Sequence, residues 1–239
     1  MEYMYKPQSS PITNHQSPIT NHQSLFTMKV PYNYIVVEGS IGAGKTTLAT
    51  MLARDFNAQL VLERFADNPF LEKFYKDPEH YALPVEMTFL MDRHQQLKSL
   101  ITTRDLFTDF IIGDYFIDKC LLFSKNNLAA DEFALFRTVF DAVSGPLPKP
   151  DLILYLYTTP DRLLRQIARR GRDFERDITA GYLSDIQEKY LTYFRENQQT
   201  PILLVDTENV DFVEKESDYQ RFKDIITQHY EPGIHRILF

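Results

Sequence analysis

Nine residues, Gly39-Ser40-Ile41-Gly42-Ala43-Gly44-Lys45-Thr46-Thr47, constrain this chain more than any other stretch. They match G-x-x-x-x-G-K-[ST], the pattern of a phosphate-cradling loop set between a strand and a helix. The context agrees. Tyr34-Ile35-Val36-Val37 before it is short, apolar and β-branched, as a buried parallel strand would be. Thr47 to Arg54 after it reads as a helix. The glycines let backbone N–H groups turn inward around phosphate oxygens, and the helix start adds a positive dipole end. In such a loop Lys45 reaches the β- and γ-phosphates and the Thr46 hydroxyl is placed to ligand Mg²⁺.

The rest of the chain alternates strand and helix patterns. Gln59–Leu62, Phe110–Asp114, Leu152–Leu156 and Ile202–Asp206 read as further strands, making five with the first. Helices are expected at Leu71–Tyr75, from Pro84 to about Ile101, at Tyr115–Asn126, Asp131–Val143, from Pro160 to Gly171, at Ala180–Glu196 and over 216–229. This alternation predicts an α/β fold, a parallel sheet covered by helices on both faces. Ligands in such sheets sit beyond the carboxyl ends of the strands, where Gly39, Glu63 and Asp114 fall.

Residues 1–30 differ in kind. Pro11-Ile12-Thr13-Asn14-His15-Gln16-Ser17 is followed by the same seven residues, in a polar stretch nearly free of charge. It reads as a disordered leader, with Met28 as a natural start, ahead of one domain over 31–239. The 239 residues carry 26 basic and 33 acidic side chains, a net charge of −7. That balance argues against a nucleic-acid polymer or an anionic membrane as partner. The single cysteine, Cys120, excludes an internal disulfide and reads as a small buried hydrophobe. No apolar run reaches membrane-spanning length, so a cytoplasmic protein is the expectation.

Several residues stand out for chemistry. Asp114 ends the third strand and is either a carboxylate beside the metal or a strand-end turn residue. Arg162, Arg165, Arg169, Arg170 and Arg172 cluster around the end of a helix at Gly171, local base on an acidic protein. The helix dipole explains one or two of them, and a lid closing over phosphates, about 169–176, explains the cluster. Glu63 ends the strand beside the loop and is either a surface acid or a base for a substrate hydroxyl. Glu86, Leu90, Arg93 and Leu97 share one helix face.

Four stretches together resemble the deoxynucleoside kinase family: the loop 39–47; Leu62-Glu63 with Asp67-Asn68-Pro69; Phe74-Tyr75-Lys76-Asp77-Pro78 through Arg93; and Arg170-Gly171-Arg172 with Glu175. The resemblance covers about residues 32–230 and looks closest to bacterial members acting on purine deoxynucleosides. It implies a P-loop kinase fold with a five-stranded sheet and a homodimer. It implies ATP-dependent phosphorylation of a deoxynucleoside 5′-hydroxyl with Mg²⁺. Glu63 resembles the general base, and Tyr75 with Glu175 the pair holding the 3′-hydroxyl. Arg93 resembles an arginine beside the base, and Glu86 stands where the family has a glutamine reading the base edge. Arg169, Arg170 and Arg172 fall with the lid arginines that grip the donor phosphates.

Two departures carry weight. The family's acidic-Arg-Ser motif reads here Asp114-Tyr115-Phe116. Either Tyr115 replaces the arginine or, one register along, Asp114 does; the first keeps a carboxylate near Mg²⁺ and is preferred. Glu86 in place of glutamine can only accept when ionised, which suits the adjacent N–H donors of guanine, or it pairs with Arg93 and reads nothing. The rival functions are a nucleoside monophosphate kinase such as thymidylate kinase, and a non-catalytic nucleotide-binding regulator. The chain shows no Asn-Lys-x-Asp base-reading motif of the regulatory GTPases.

Overall fold

The computed structural model describes residues 29–102 and 105–239. The leader reading for residues 1–28 lies outside the described residues. Six strands form one sheet: β1 (Tyr34–Gly39), β2 (Gln59–Val61), β3 (Ile111–Gly113), β4 (Leu152–Tyr157), β5 (Pro201–Asp206) and β6 (Gly233–Leu238). The order is β2-β3-β1-β4-β5-β6 and every pairing is parallel. Five strands match the expected positions. The sixth, Gly-Ile-His-Arg-Ile-Leu, places His235 and Arg236 between apolar pairs, which its half-exposed edge position tolerates.

Side chains alternate across the sheet as the pleat demands. Ile35 and Val37 of β1 with Leu152, Leu154 and Leu156 of β4 enter one core. The helices α1 (Lys45–Asp55), α6 (Pro160–Arg170) and α8 (Glu216–Ile226) cover that face with Leu48, Leu52, Leu163, Ile167, Phe222 and Ile226. Tyr34, Val36, Ile153 and Tyr155 enter the other core. There α3 (Pro78–Thr102), α4 (Lys119–Asn127), α5 (Ala130–Ser144) and α7 (Ala180–Glu196) supply Leu90, Leu97, Cys120, Phe136, Tyr190 and Phe194. A short α2 (Leu71–Lys76) lies against α3 through Phe74, Ala82 and Val85.

Two helix starts differ from expectation. Pro84 does not open α3; it lies inside it, and the helix begins at Pro78. Pro78 takes the first helical position, where a missing N–H costs nothing. The carbonyl that Pro84 leaves unbonded belongs to His80, which is exposed, so water can serve it. α4 begins at Lys119 rather than Tyr115. Residues 115–116 are coil with the Tyr115 side chain wholly buried, and a turn at 117–118 leads into the helix.

Candidate active site

The carboxyl ends of β1, β2 and β3 converge on one cleft. Lys45 and Thr46 of the glycine loop line it, as do Glu63, Asp114, Tyr75, Glu86, Arg93, Arg170, Arg172 and Glu175. Residues separated by more than 120 positions in sequence therefore meet in one place because the strand order brings them there.

The loop is built for close approach. Gly42 has φ +87°, and a Cβ there would meet the Leu163 carbonyl oxygen at 2.9 Å. Lys45 Nζ donates to the Ser40 carbonyl at 3.0 Å, so the ammonium lies back along the loop. Burial, and then the Lys119 charge, bring Lys45 down to about 8. The Thr46 hydroxyl donates to Asp114 Oδ2 at 2.5 Å, and the Glu63 backbone N–H donates to Asp114 Oδ1 at 2.7 Å. Asp114 thus ties the loop, β2 and β3 together.

Glu63 is paired with two cations. Arg93 donates to its Oε1 through Nε at 3.1 Å and through a second guanidinium nitrogen. Lys119 Nζ donates to its Oε2 at 3.1 Å. Burial alone would raise the Glu63 carboxyl; the Lys119 and Arg93 charges reverse this and hold it well below the usual carboxylate range. Arg93 also donates to Cys120 Sγ at 2.9 Å, and burial pushes that thiol up to about 11. Cys120 is the buried hydrophobe expected, with one polar contact added.

Glu86 stands in a different environment. Glu86 is 3% exposed, and Asn127 Nδ2 donates to its Oε1 at 2.7 Å. Its Oε2 is buried with no hydrogen-bond partner. No ion pair joins Glu86 to Arg93 among the described residues, so the alternative of a Glu86–Arg93 pair does not hold: Arg93 is committed to Glu63. Burial pushes the Glu86 carboxyl up to about 7, against the Asn127 bond and the Arg93 charge. The ring of Tyr75 stacks on Phe174 at 6.2 Å, 19° between planes.

The arginine cluster divides. Arg170 and Arg172 both reach Glu175, which is buried, and the Arg172 guanidinium lies 3.8 Å from the centre of the Phe65 ring. Arg162 turns the other way and donates to the carbonyls of Glu208 and Val210. Arg165 and Arg169 are exposed and do not line the cleft. The cleft also contains residues that sequence reasoning did not single out: Lys119, Asn127, Tyr182 and the aromatic walls Phe65, Phe89 and Phe123.

The model of the deoxynucleoside kinase family matches residues 35–231. The chain belongs to the deoxynucleoside kinase family. It is 35% identical to the deoxyguanosine kinase of Bacillus subtilis over 195 residues, 79% of this chain and 93% of that one. It is 31% identical to the deoxyadenosine kinase of Lactobacillus acidophilus, over 75% and 87% of the two chains. The solved structure of M. mycoides deoxyadenosine kinase with bound dATP superposes with a TM-score of 0.71 at 21% identity, covering 82% of this chain and all of that one. The fold is therefore the P-loop kinase fold, with six strands in this member. This deoxynucleoside kinase is an enzyme that phosphorylates deoxynucleosides, which sets aside the monophosphate kinase and the regulator. No helix among its described residues is long and apolar enough to cross a membrane.

Proposed function

We propose that this kinase transfers the γ-phosphoryl group of ATP to the 5′-hydroxyl of a purine deoxynucleoside, giving the monophosphate. One observation carries the reading: Lys45 and Thr46 of the phosphate loop line the same cleft as Glu63, Tyr75, Glu86 and Glu175. Donor tail and acceptor alcohol then meet in a single space. Similarity to deoxyguanosine and deoxyadenosine kinases supports a purine acceptor. A neighbour of the same fold that carries dATP supports a triphosphate ligand.

Glu63 takes the hydroxyl proton. A carboxylate held by two cations is a weak base, which suits a loose phosphoryl transfer in which the proton leaves late, once the new P–O bond has acidified the hydroxyl. Lys45 neutralises the transferring group, and Arg170 and Arg172 swing from Glu175 to the donor phosphates as the segment 169–176 closes. Tyr75 and Glu175 hold the sugar 3′-hydroxyl, and Arg93 stands beside the base. Glu86, through its unpartnered oxygen, reads the base edge. Ionised, it accepts both N–H groups of guanine, and Asn127 fixes its plane.

The Thr46 hydroxyl and the Asp114 carboxylate fit Mg²⁺: both are hard oxygen donors, already in contact, at the mouth of the loop. They would hold the ion, directly or through water, and it would supply neutralising charge on the phosphates. Pairing into a homodimer belongs to the same reading, and light scattering on the purified chain tests it. The deciding experiment is coupled ATP consumption with deoxyguanosine, deoxyadenosine, deoxycytidine and thymidine offered singly. Turnover with the two purines above the two pyrimidines is expected. Equal or faster turnover with the pyrimidines overturns the purine assignment, and no turnover with any overturns the reading.

A further inference from the structure

Lys119 is a buried charge that the sequence does not announce. It is 4% exposed and is the first residue of α4. Two effects oppose a cation there, the loss of water and the positive end of the helix dipole. It is tolerated because two carboxylates face it. Its Nζ lies 3.1 Å from Glu63 Oε2 and 3.9 Å from Glu38 Oε1. Burial works against the charge, but Glu38 and Glu63 outweigh it and hold Lys119 above the ordinary lysine value.

Glu38 is itself unusual. It belongs to β1, the strand that feeds the phosphate loop, and is wholly buried. Its Oε2 accepts from the Tyr190 hydroxyl at 2.8 Å and from the Gly39 N–H at 3.1 Å. Its Oε1 accepts no hydrogen bond, so the Lys119 charge is what compensates it. A chain therefore runs from Tyr190 of α7 through Glu38 and Lys119 to Glu63. It ends in the cleft, where Lys119 shares a wall with Lys45 and Arg93. Arg93 occupies one oxygen of Glu63 and Lys119 the other, from two different helices, so the plane of that carboxylate is fixed.

We propose that Lys119 is a positioning residue for phosphoryl transfer: it aims Glu63 at the acceptor hydroxyl and sets a second cation, besides Lys45, where the phosphoryl group crosses. This rests on the function proposed above. In the step, the sugar 5′-oxygen bonds to the γ-phosphorus and the bond from that phosphorus to the β,γ-bridging oxygen breaks. The electron pair leaves with ADP, and the hydroxyl proton passes to Glu63. Glu63 is then neutral and holds Lys119 less strongly. Glu38, anchored by Tyr190, keeps the ammonium in place while charge builds on the phosphoryl oxygens.

The test compares Lys119→Met, Lys119→Arg and Glu38→Gln with the wild type. It reads kcat and KM for deoxyguanosine and for ATP, with the far-UV spectrum and unfolding midpoint of each protein. Lys119→Met is expected to lower kcat by about 10²-fold, the scale of losing one charge donor to a transition state. KM for either substrate should stay within about threefold, since the group acts in the transition state and not in binding. Lys119→Arg should recover at least about tenfold of the loss, because it restores the cation. A folded Lys119→Met with wild-type kcat, or an arginine variant no better than methionine, overturns the proposal. If methionine prevents folding, Glu38→Gln decides: kcat should fall about tenfold with KM unchanged, and an unchanged kcat overturns it. A wild type that phosphorylates no deoxynucleoside would instead defeat the proposed function, which is a separate outcome.

Discussion

Asn127 donates its side-chain amide to one oxygen of Glu86 at 2.7 Å, and the other oxygen of that carboxylate stays buried with nothing bonded to it. A buried acceptor without a donor costs free energy, so its retention points to a ligand that supplies one. Glu86→Gln should therefore change base preference. It replaces a two-oxygen acceptor by one acceptor and one donor, which disfavours the paired N–H groups of guanine. The ratio of kcat/KM for deoxyguanosine over deoxyadenosine is expected to fall by about tenfold, on the scale of one misplaced hydrogen bond. An unchanged ratio would remove Glu86 from base reading.

The same substitution has a stability signature. Burial raises the Glu86 carboxyl from the ordinary glutamate value to about 7 in the folded kinase. Between the unfolded and folded values the native state holds a proton that the unfolded chain has lost. Stability is then highest below the unfolded value and falls as pH rises towards about 7. The loss amounts to up to about 3 kcal/mol for a shift of this size. Glu86→Gln does not titrate. Its unfolding midpoint should be close to wild type at pH 4.5 and clearly above it at pH 8. Parallel midpoints across this range would show that Glu86 is not buried as an acid.

Much of this site is legible in the sequence because it depends on local chemistry. The glycine loop, Glu63 at a strand end and the Glu86/Leu90/Arg93/Leu97 face each follow from spacing on one element. What is not legible depends on the crossing of elements. Lys119 precedes Cys120 in a stretch whose sequence marks no partner for its charge, and the turn at 117–118 sets it at the start of α4 against Glu38 and Glu63. Asn127 ends a helix, a position polar residues take for capping alone, and its contact with Glu86 spans 41 positions. Glu38 lies in an apolar strand, and one of its oxygens accepts from Tyr190, 152 residues away. β6 was hidden by its edge position, which lets His235 and Arg236 interrupt the apolar run. The arginine cluster shows the converse: five residues alike in sequence divide into two at the cleft, one capping carbonyls and two exposed.

Glu63→Gln tests the proton acceptor. The amide fills the same volume, so the cleft should keep its shape. It loses the charge that Arg93 and Lys119 share, leaving two buried cations with poorer partners. We expect kcat to fall by about 10²-fold or more, the range for removing a general base. Fluorescent ADP titration should show nucleotide affinity close to wild type. Near-normal turnover would exclude Glu63 as the base.

Asp114→Asn tests the carboxylate at the mouth of the loop. Its one oxygen can still accept from the Glu63 N–H, and its amide nitrogen can donate to the Thr46 hydroxyl where Asp114 accepts from it, so both contacts survive, one of them reversed, while the charge is lost. The Mg²⁺ concentration for half-maximal activity should rise by about tenfold, as expected when a carboxylate ligand becomes an amide. Chelation with EDTA should abolish turnover in both proteins, with recovery on adding Mg²⁺. An unchanged Mg²⁺ requirement would place Asp114 in a structural role only.

Two glycines differ in what their surroundings allow. Gly42 and Gly171 both have positive φ, +87° and +71°. An added Cβ at Gly42 would meet a backbone oxygen at 2.9 Å and Ile167 at 3.0 Å, whereas at Gly171 nothing lies within 4 Å. Gly171→Ala therefore bears only the left-handed backbone penalty, about 1–2 kcal/mol, at the end of α6. Its midpoint should drop modestly, and the rise on adding ATP and Mg²⁺ should persist. Gly42→Ala bears the same penalty and must also push the loop away from α6, which disorganises the N–H groups meant for phosphate. Its midpoint should drop further, and the rise with ATP should be lost. Equal ATP-dependent rises in the two variants would mean that the loop tolerates the displacement and that its geometry is not what holds the triphosphate.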